Sequence, residues 1–276
     1  MLNYPHCVYC QNVTDAFKTA YGYVNMLGET VESRIGKTRH LTDMTIVVDD
    51  PYQNVCLDDV RNMSLRYMLG EISWYMSGSN KVADIAKYAK MWNSLTDDGE
   101  TVNSAYGYRI FHKFGFDQLQ YVIDKLKASP YDRQAVIHIK DASNAPTKDT
   151  PCTCLLQFTY CDNRLNLHAY MRSNDVWLGL PYDMAFFCVL LQIVARETGL
   201  SVGKYIHTVG DLHLYERHWN KGVKTDYKLH GQYPVEPEGW DYTMETQESI
   251  EKMLNGEMPE SLVLRELWRL NNGKKN

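Results

Sequence analysis

PCTCLLQFTYCDNRLNLHAYMRSNDVWLGLPYD, residues 151–183, contains two runs of strand-forming residues, 155–160 and 165–170, on either side of Cys161-Asp162-Asn163-Arg164. Asp and Asn favour a tight turn, so the segment reads as a β-hairpin. Positions 152 and 172 lie almost equally far from the turn, and antiparallel pairing brings Cys152 and Arg172 together at the open end. A guanidinium beside a thiol lowers the thiol pKa and makes it a better nucleophile at neutral pH. Taken alone, Cys152 reads more simply as an inert buried cysteine and Arg172 as a surface cation. The polar run 172–183 then enters a strongly apolar helix, and a loop at a helix start can gather hydrogen-bonding groups around a ligand. Asp183 has a plain reading as well, because a carboxylate in a first helical turn is worth ~0.5 kcal/mol with no function at all.

Outward from this stretch, apolar residues recur at helical spacing over 14–27, 58–77, 81–95, 116–128 and 182–198. Short runs rich in β-branched or aromatic residues at 135–140 and 204–209 join the two hairpin strands. The mixture is α+β. No internal repeat, low-complexity tract or long linker interrupts it, although HGQYPVEPEG (230–239) breaks the pattern before a helical tail over 246–270. The expected organisation is one catalytic domain over 1–240 and a helical carboxyl-terminal extension over 241–276.

With 276 residues, 44% of them hydrophobic and 12% aromatic, the chain can bury a substantial core. A formal charge of -5 gives no general attraction to nucleic acid or anionic membranes, so any phosphate site is built locally from a few arginines, and no nucleic-acid partner is expected. No apolar run approaches the ~20 residues of a membrane span, and MLNYPHCVYC lacks the basic and apolar regions of a leader. A cytoplasmic protein follows as the expectation. Seven cysteines, an odd number, suit reduced thiols. His6, Cys7 and Cys10 have no second matching pair to complete a four-ligand zinc site, so no metal is expected.

Several motifs together resemble the thymidylate synthase family: PC at 151–152, QF at 157–158, RS at 172–173, Asp175, LGLP at 178–181 and GDLHLY at 210–215. Further matches run from about residue 27 to 218 and include Arg34 in a basic loop, Glu71 in GEISWY (70–75), Trp92, NSAYG (103–107) and Asp132-Arg133. The resemblance implies a mixed β-sheet packed with helices, a homodimer formed through the sheet, and methylenetetrahydrofolate as co-substrate with a pyrimidine nucleotide. It implies that Cys152 adds to carbon 6 of the pyrimidine, so that carbon 5 becomes the nucleophile; an aromatic pyrimidine is a poor carbon nucleophile without that addition. Arg34, Arg172 and Ser173 would hold the nucleotide, and Arg133 would reach its phosphate from the second subunit, through the bidentate fork that suits arginine to phosphate. Gln134 departs from the second arginine that many members carry. His213 and Tyr215 match positions that contact the sugar hydroxyl. Glu71 matches the residue that organises water and proton transfers, with Tyr106 among the catalytic residues. Trp92, Asp175, Leu178 and Gly179 match folate-facing positions. As bland alternatives, Glu71 fits a solvated helix face and Trp92 a core; the apolar neighbours Ile72, Trp74 and Tyr75 favour a half-buried Glu71 with a raised pKa.

Two departures concern the base. Asp183 stands where a thymidylate synthase has asparagine, and Thr153 where it usually has histidine; both positions face the base in the family. An asparagine amide matches the uracil edge, which presents a carbonyl oxygen and a ring N–H. Cytosine reverses that edge, and a carboxyl group can accept from its amino group and serve the ring nitrogen when protonated. The same pair of changes, with CT at 152–153, RSNDV at 172–176 and NS before YG at 103–107, resembles the deoxycytidylate hydroxymethylases of T-even-like bacteriophages. That branch of the family implies dCMP as substrate and water, in place of a folate hydride, to complete the product. The polar end NNGKKN (271–276) is a poor water-excluding lid, which agrees with a reaction that admits water. The nearest competitor is a reductive methylase of dUMP or dCMP that forms dihydrofolate. A non-catalytic RNA-binding dimer is disfavoured by the intact motif residues and the acidic charge.

Overall fold

The computed structural model describes residues 6–142 and 147–225. The expected tail helix over 246–270, the break at 230–239, the domain boundary near 240 and the polar end all lie outside the described residues. In chain order the elements are β1 (His6–Cys10), α1 (Val13–Leu27), β2 (Glu29–Ser33), β3 (Gly36–Val48), α2 (Leu65–Met76), α3 (Val82–Ala86), α4 (Tyr106–Phe111), α5 (Gln118–Ala128), β4 (Val136–His138), β5 (Thr153–Cys161), β6 (Arg164–Met171), β7 (Asn174–Asp175), α6 (Leu180–Thr198) and β8 (Ser201–Tyr215).

The strands form one mixed sheet in the order β1-β3-β8-β6-β5-β4, with β2 added to β3 and β7 to β8. β1 and β6 run parallel to their neighbours β3 and β8, while β3–β8, β5–β6 and β4–β5 are antiparallel. The architecture is therefore the α+β, mixed-sheet arrangement expected. At the expected hairpin turn Asp162 and Asn163 both take positive φ, 51° and 59°, the left-handed pair that two-residue hairpins require. Cys161 then faces Arg164 and Thr153 faces Met171.

α6 is buried almost throughout, from Leu180 to Ala195, because its sequence is apolar on every side. Pro181 in its first turn needs no amide partner, and Gly199 ends it in the left-handed conformation at φ 72°. α1, α2 and α5 pack around it, and its own contacts reach β6 and β8. A sheet and a shell of helices therefore enclose one apolar helix, whose first turn delivers Asp183. No helix among the described residues is long and apolar enough to cross a membrane.

Several sequence boundaries shift for local reasons. The helix expected over 58–77 begins only at Leu65, because the Asp58 side chain accepts from the amides of Val60 and Arg61 in a turn of its own, and Ser64 caps the helix by accepting from Tyr67 N–H. The helix expected over 81–95 breaks into α3 and a 3-10 turn at Lys90–Ser94. Between them the Tyr88 ring docks against Gly70 of α2, a tertiary contact that overrides the helical period. The strand expected over 204–209 extends to Ser201–Tyr215, since β8 borders β3, β6 and β7 at once. β1, the β2–β3 hairpin and α4 are additions to the sequence reading.

Candidate active site

The hairpin and the start of α6 meet at Cys152. Arg172 N–H donates to the Cys152 carbonyl at 2.9 Å, closing the hairpin end, and Arg172 Nη2 lies 3.7 Å from Cys152 Sγ. The guanidinium also donates to the carbonyls of Thr150 and Pro151, so it braces the segment that carries the thiol. The expected proximity holds, but its electrostatic consequence does not. Burial pushes the half-buried Cys152 thiol up to about 11; Arg172 pulls it down, and Asp183, Asp149 and Cys154 push it further up. One guanidinium at 3.7 Å does not outweigh that desolvation.

Glu71 sits on α2 and is buried, 8% exposed. Its Oε1 accepts from the hydroxyl of Tyr67 at 2.7 Å, one helical turn earlier, and from that of Tyr75 at 3.4 Å, one turn later. Trp92 is also buried and donates from Nε1 to the Tyr67 oxygen at 3.1 Å. Burial raises Glu71 from 4.5 to about 7, against the pull of the two phenols. Tyr67 escaped the sequence reading, which took Tyr75 only as an apolar neighbour, although their i−4 and i+4 spacing from Glu71 places all three on one helix face.

Tyr106 opens α4. The loop before it is clasped by buried Arg109, which donates to the Asn103 carbonyl at 2.6 Å, to Asn103 Oδ1 and to the Ile139 carbonyl. Gly107 lets α4 touch α2, since a Cβ there would lie 1.8 Å from the Tyr75 carbonyl oxygen. The Tyr106 ring consequently stacks on Tyr75 at 5.1 Å, and its hydroxyl accepts from Thr153 N–H at 3.3 Å. Thr153 itself is wholly buried.

Asp183 Oδ2 accepts from Asn174 Nδ2 at 2.7 Å. Burial above all, then the charge of Glu71, raises its carboxyl from 3.8 to about 8, with the Asn174 donor acting in the opposite direction and Asp175 adding to the rise. Asp183 acts electrostatically on Cys152 and on Tyr106, so these residues and Glu71 form one cluster. Such a carboxyl is mainly protonated at neutral pH and can donate a hydrogen bond as well as accept one.

Below about pH 4 Asp183 and Glu71 are protonated whether the chain is folded or unfolded. As pH rises the unfolded chain loses both protons first, whereas the folded chain holds them to about 7 and about 8. Their contribution to stability is therefore full at low pH and is lost as pH rises through those folded values. Thermal unfolding of Asp183→Asn is accordingly expected to fall less steeply between about pH 5 and pH 8 than that of the native chain. Parallel curves would contradict this placement of the proton.

At the far end of the cluster Ser173 Oγ lies 3.4 Å from His213 Nδ1. Asp211, which the sequence reading passed over, lies between His213 at 3.6 Å and His40 at 3.1 Å. Burial works against protonation of His213, but the hydrogen bond to Asp211 and the charges of Asp175 and Asp211 raise its pKa overall. The Tyr215 ring stands edge-on to His213 at 5.4 Å. Arg34, exposed at the tip of the β2–β3 hairpin, reaches this group electrostatically through Tyr215, which also feels Cys152. Arg133 is exposed on the loop between α5 and β4, and no contact joins it to the cluster among the described residues of one chain.

Asp175 Oδ1 accepts from the amides of Trp177 and Leu178, shaping the turn into α6. Leu178 stays 43% exposed at that turn. Gly179 follows, and its carbonyl accepts from Tyr182 N–H. Tyr182 packs edge-on against Tyr67 at 4.8 Å, so contacts run without a break from Trp92 through Tyr67 and Tyr182 to Gly179. Compared with known families, residues 16–234 match the family model described as Thymidylate synthase.

Proposed function

The chain belongs to the thymidylate synthase family, enzymes that transfer a one-carbon unit to a pyrimidine nucleotide, and from that premise we propose that it is a deoxycytidylate hydroxymethylase. Cys152 adds to carbon 6 of cytosine, forming the C–S bond that makes carbon 5 nucleophilic. Carbon 5 bonds to the methylene of methylenetetrahydrofolate and loses its proton, and the methylene's C–N bonds to the folate break. Water provides the hydroxyl group, Cys152 departs from carbon 6, and 5-hydroxymethyl-dCMP leaves with tetrahydrofolate not oxidised.

The observation that carries this reading is Asp183 beside Cys152 and Glu71, raised to about 8. A protonated carboxyl can donate to the ring nitrogen of cytosine and accept from its amino group. With Oδ2 held as an acceptor by Asn174, uracil would set its ring N–H against that proton and its carbonyl against an acceptor, and each unpaired buried polar group costs ~1–3 kcal/mol. Glu71, held by Tyr67 and Tyr75 and raised to about 7, suits the handling of water and protons near the ring.

Arg34 and Arg172 are assigned to the phosphate, Ser173 to the nucleotide, His213 and Tyr215 to the sugar hydroxyl, and Tyr106 to the catalytic group. Trp92, Asp175, Leu178 and Gly179 are assigned to methylenetetrahydrofolate; the aromatic path from Trp92 to the Gly179 turn and the exposed Leu178 suit a flat, partly apolar molecule. Arg133 is assigned to the phosphate of a second copy, in a homodimer formed through the sheet. In support, the paired residues His168 with Ile206 and Tyr170 with Thr208 share a face of the sheet that is not fully buried. A cytoplasmic location, that of the host for a phage-encoded enzyme, accords with this chemistry.

The test incubates the protein with methylenetetrahydrofolate and either dCMP or dUMP, following product mass and dihydrofolate absorbance together. The expected result is a hydroxymethyl product from dCMP without dihydrofolate. A methylated product with stoichiometric dihydrofolate would instead identify a reductive methylase and overturn the proposal.

A further inference from the structure

Asp183 is the end of a chain of buried polar residues that neither the phosphate nor the sugar assignment uses. Asn174, 3% exposed, donates from Nδ2 to Asp183 Oδ2. Its Oδ1 lies 3.1 Å from Nε2 of His207, and Nδ1 of the same ring lies 2.5 Å from the Tyr205 hydroxyl. His207 and Tyr205 have no exposed surface and stand two residues apart on β8, hence on one face of the strand.

Direction in this chain is set from end to end. Burial pushes His207 down to about 3, so the ring is neutral and carries a single proton. With Asn174 Nδ2 turned to the carboxyl group, Oδ1 is its acceptor, so the ring proton resides on Nε2 and Nδ1 accepts from Tyr205. A flipped amide would leave Nδ2 facing the Nε2 proton and Oδ1 facing a carboxyl oxygen, unless protons moved along the whole chain.

A second observation points to the same hydrogen bond. The nearest atoms to a Cβ built on Gly179 are Asn174 Nδ2 at 3.0 Å and Asp183 Oδ2 at 3.2 Å. Any side chain at 179 would press on the two atoms that join amide to carboxyl. The residue just before α6 is thus small where this hydrogen bond needs room.

We propose that Asn174, oriented by His207 and Tyr205, is a positioning residue for base selection: it holds one oxygen of Asp183 as an acceptor and presents the rest of the carboxyl to the pyrimidine edge. The proposal rests on the reading of Asp183 as base selector given above. Asn174 itself does not touch the base. His207 acts one step further back, and its loss is transmitted through the freed amide.

The test measures kcat and KM for dCMP and for dUMP, with methylenetetrahydrofolate, in Asn174→Ala, His207→Phe, His207→Gln and Asp183→Asn. Asn174→Ala and His207→Phe are expected to lower the dCMP-to-dUMP ratio of kcat/KM about ten-fold, with KM for dCMP rising. His207→Gln keeps an amide donor for Asn174 Oδ1 and is expected to stay close to native. Asn174→Ala added to Asp183→Asn is expected to change the ratio no further, because the two residues act as one unit. If Asp183→Asn shifts the ratio while folded Asn174→Ala and His207→Phe keep the native one, the positioning role is wrong and the Asp183 reading survives. If Asp183→Asn leaves the ratio unchanged, the underlying reading has failed, and carbon-13 NMR titration of Asp183 then decides the role of Asn174. Loss of its donor should raise the carboxyl pKa further, and an unmoved titration in Asn174→Ala overturns the proposal. Should Asn174→Ala fail to fold, the contrast between His207→Phe and His207→Gln carries the same decision.

Discussion

Cys152→Ala is expected to reduce turnover by roughly 10⁴-fold or more while nucleotide binding, measured by calorimetry, stays within a few-fold of native. Without the sulfur there is no atom to add to carbon 6, and carbon 5 of the aromatic ring remains unreactive. Binding persists because loss of the sulfur leaves the groups assigned to the nucleotide in place: Arg172 is braced by the carbonyls of Thr150 and Pro151, and Ser173 and His213 meet at the other end of the cluster. The thiol is held near 11 in part by the negative charge of Asp183 and Asp149. Asp183 opposes the thiolate only when ionised, and a substrate that binds its protonated form keeps that charge absent. Thiolate formation is thereby tied to correct base recognition, which gives the alanine variant a companion test. In the native chain a covalent nucleotide adduct, detected by mass, should accumulate with dCMP and not with dUMP; retained turnover in Cys152→Ala refutes covalent catalysis outright.

Asp183→Asn is expected to move the preference from dCMP towards dUMP, with the ratio of kcat/KM changing by ~10-fold or more. The amide cannot transfer a proton to the cytosine ring nitrogen as a protonated carboxyl can, whereas its N–H donates to the uracil carbonyl and its oxygen accepts from the ring N–H. Because the amide fits uracil, dUMP turnover is expected to rise and not merely dCMP turnover to fall. Competition between the two nucleotides, read by product mass, measures this directly. An unaltered ratio in a folded Asp183→Asn enzyme sinks the assignment of base choice to this position.

The hairpin was legible because its information is local: two strand runs, an Asp-Asn turn and symmetry about it place Cys152 against Arg172. Glu71 was legible as a partly buried acid from the apolar residues beside it. The sign of the thiol shift was not, since it depends on Asp149 and Asp183, which come from different parts of the chain, and on a desolvation that no spacing reveals. The same holds for His207, which reads in sequence as one histidine among nine and acquires a role only when β8 lies beside β7 and Asn174. β3 was missed for a related reason. Its amino-terminal half is polar and contributes through pairing with β8 more than through any pattern of its own.

That pairing sets when the enzyme can begin to exist. Thr38 lies opposite Tyr215 and Val48 opposite Tyr205, so the centre of the sheet joins the earliest long strand to the last one described. Loops of this length close late, and folding of such topologies is slow compared with that of local hairpins. On the ribosome the Cys152 hairpin can form soon after it emerges, and α6 with it. Asn174 and Ser173 must wait for His207 and His213, which arrive with β8. A nascent chain therefore carries Cys152 and Asp183 before it carries the β8 histidines that hold Asn174 and meet Ser173.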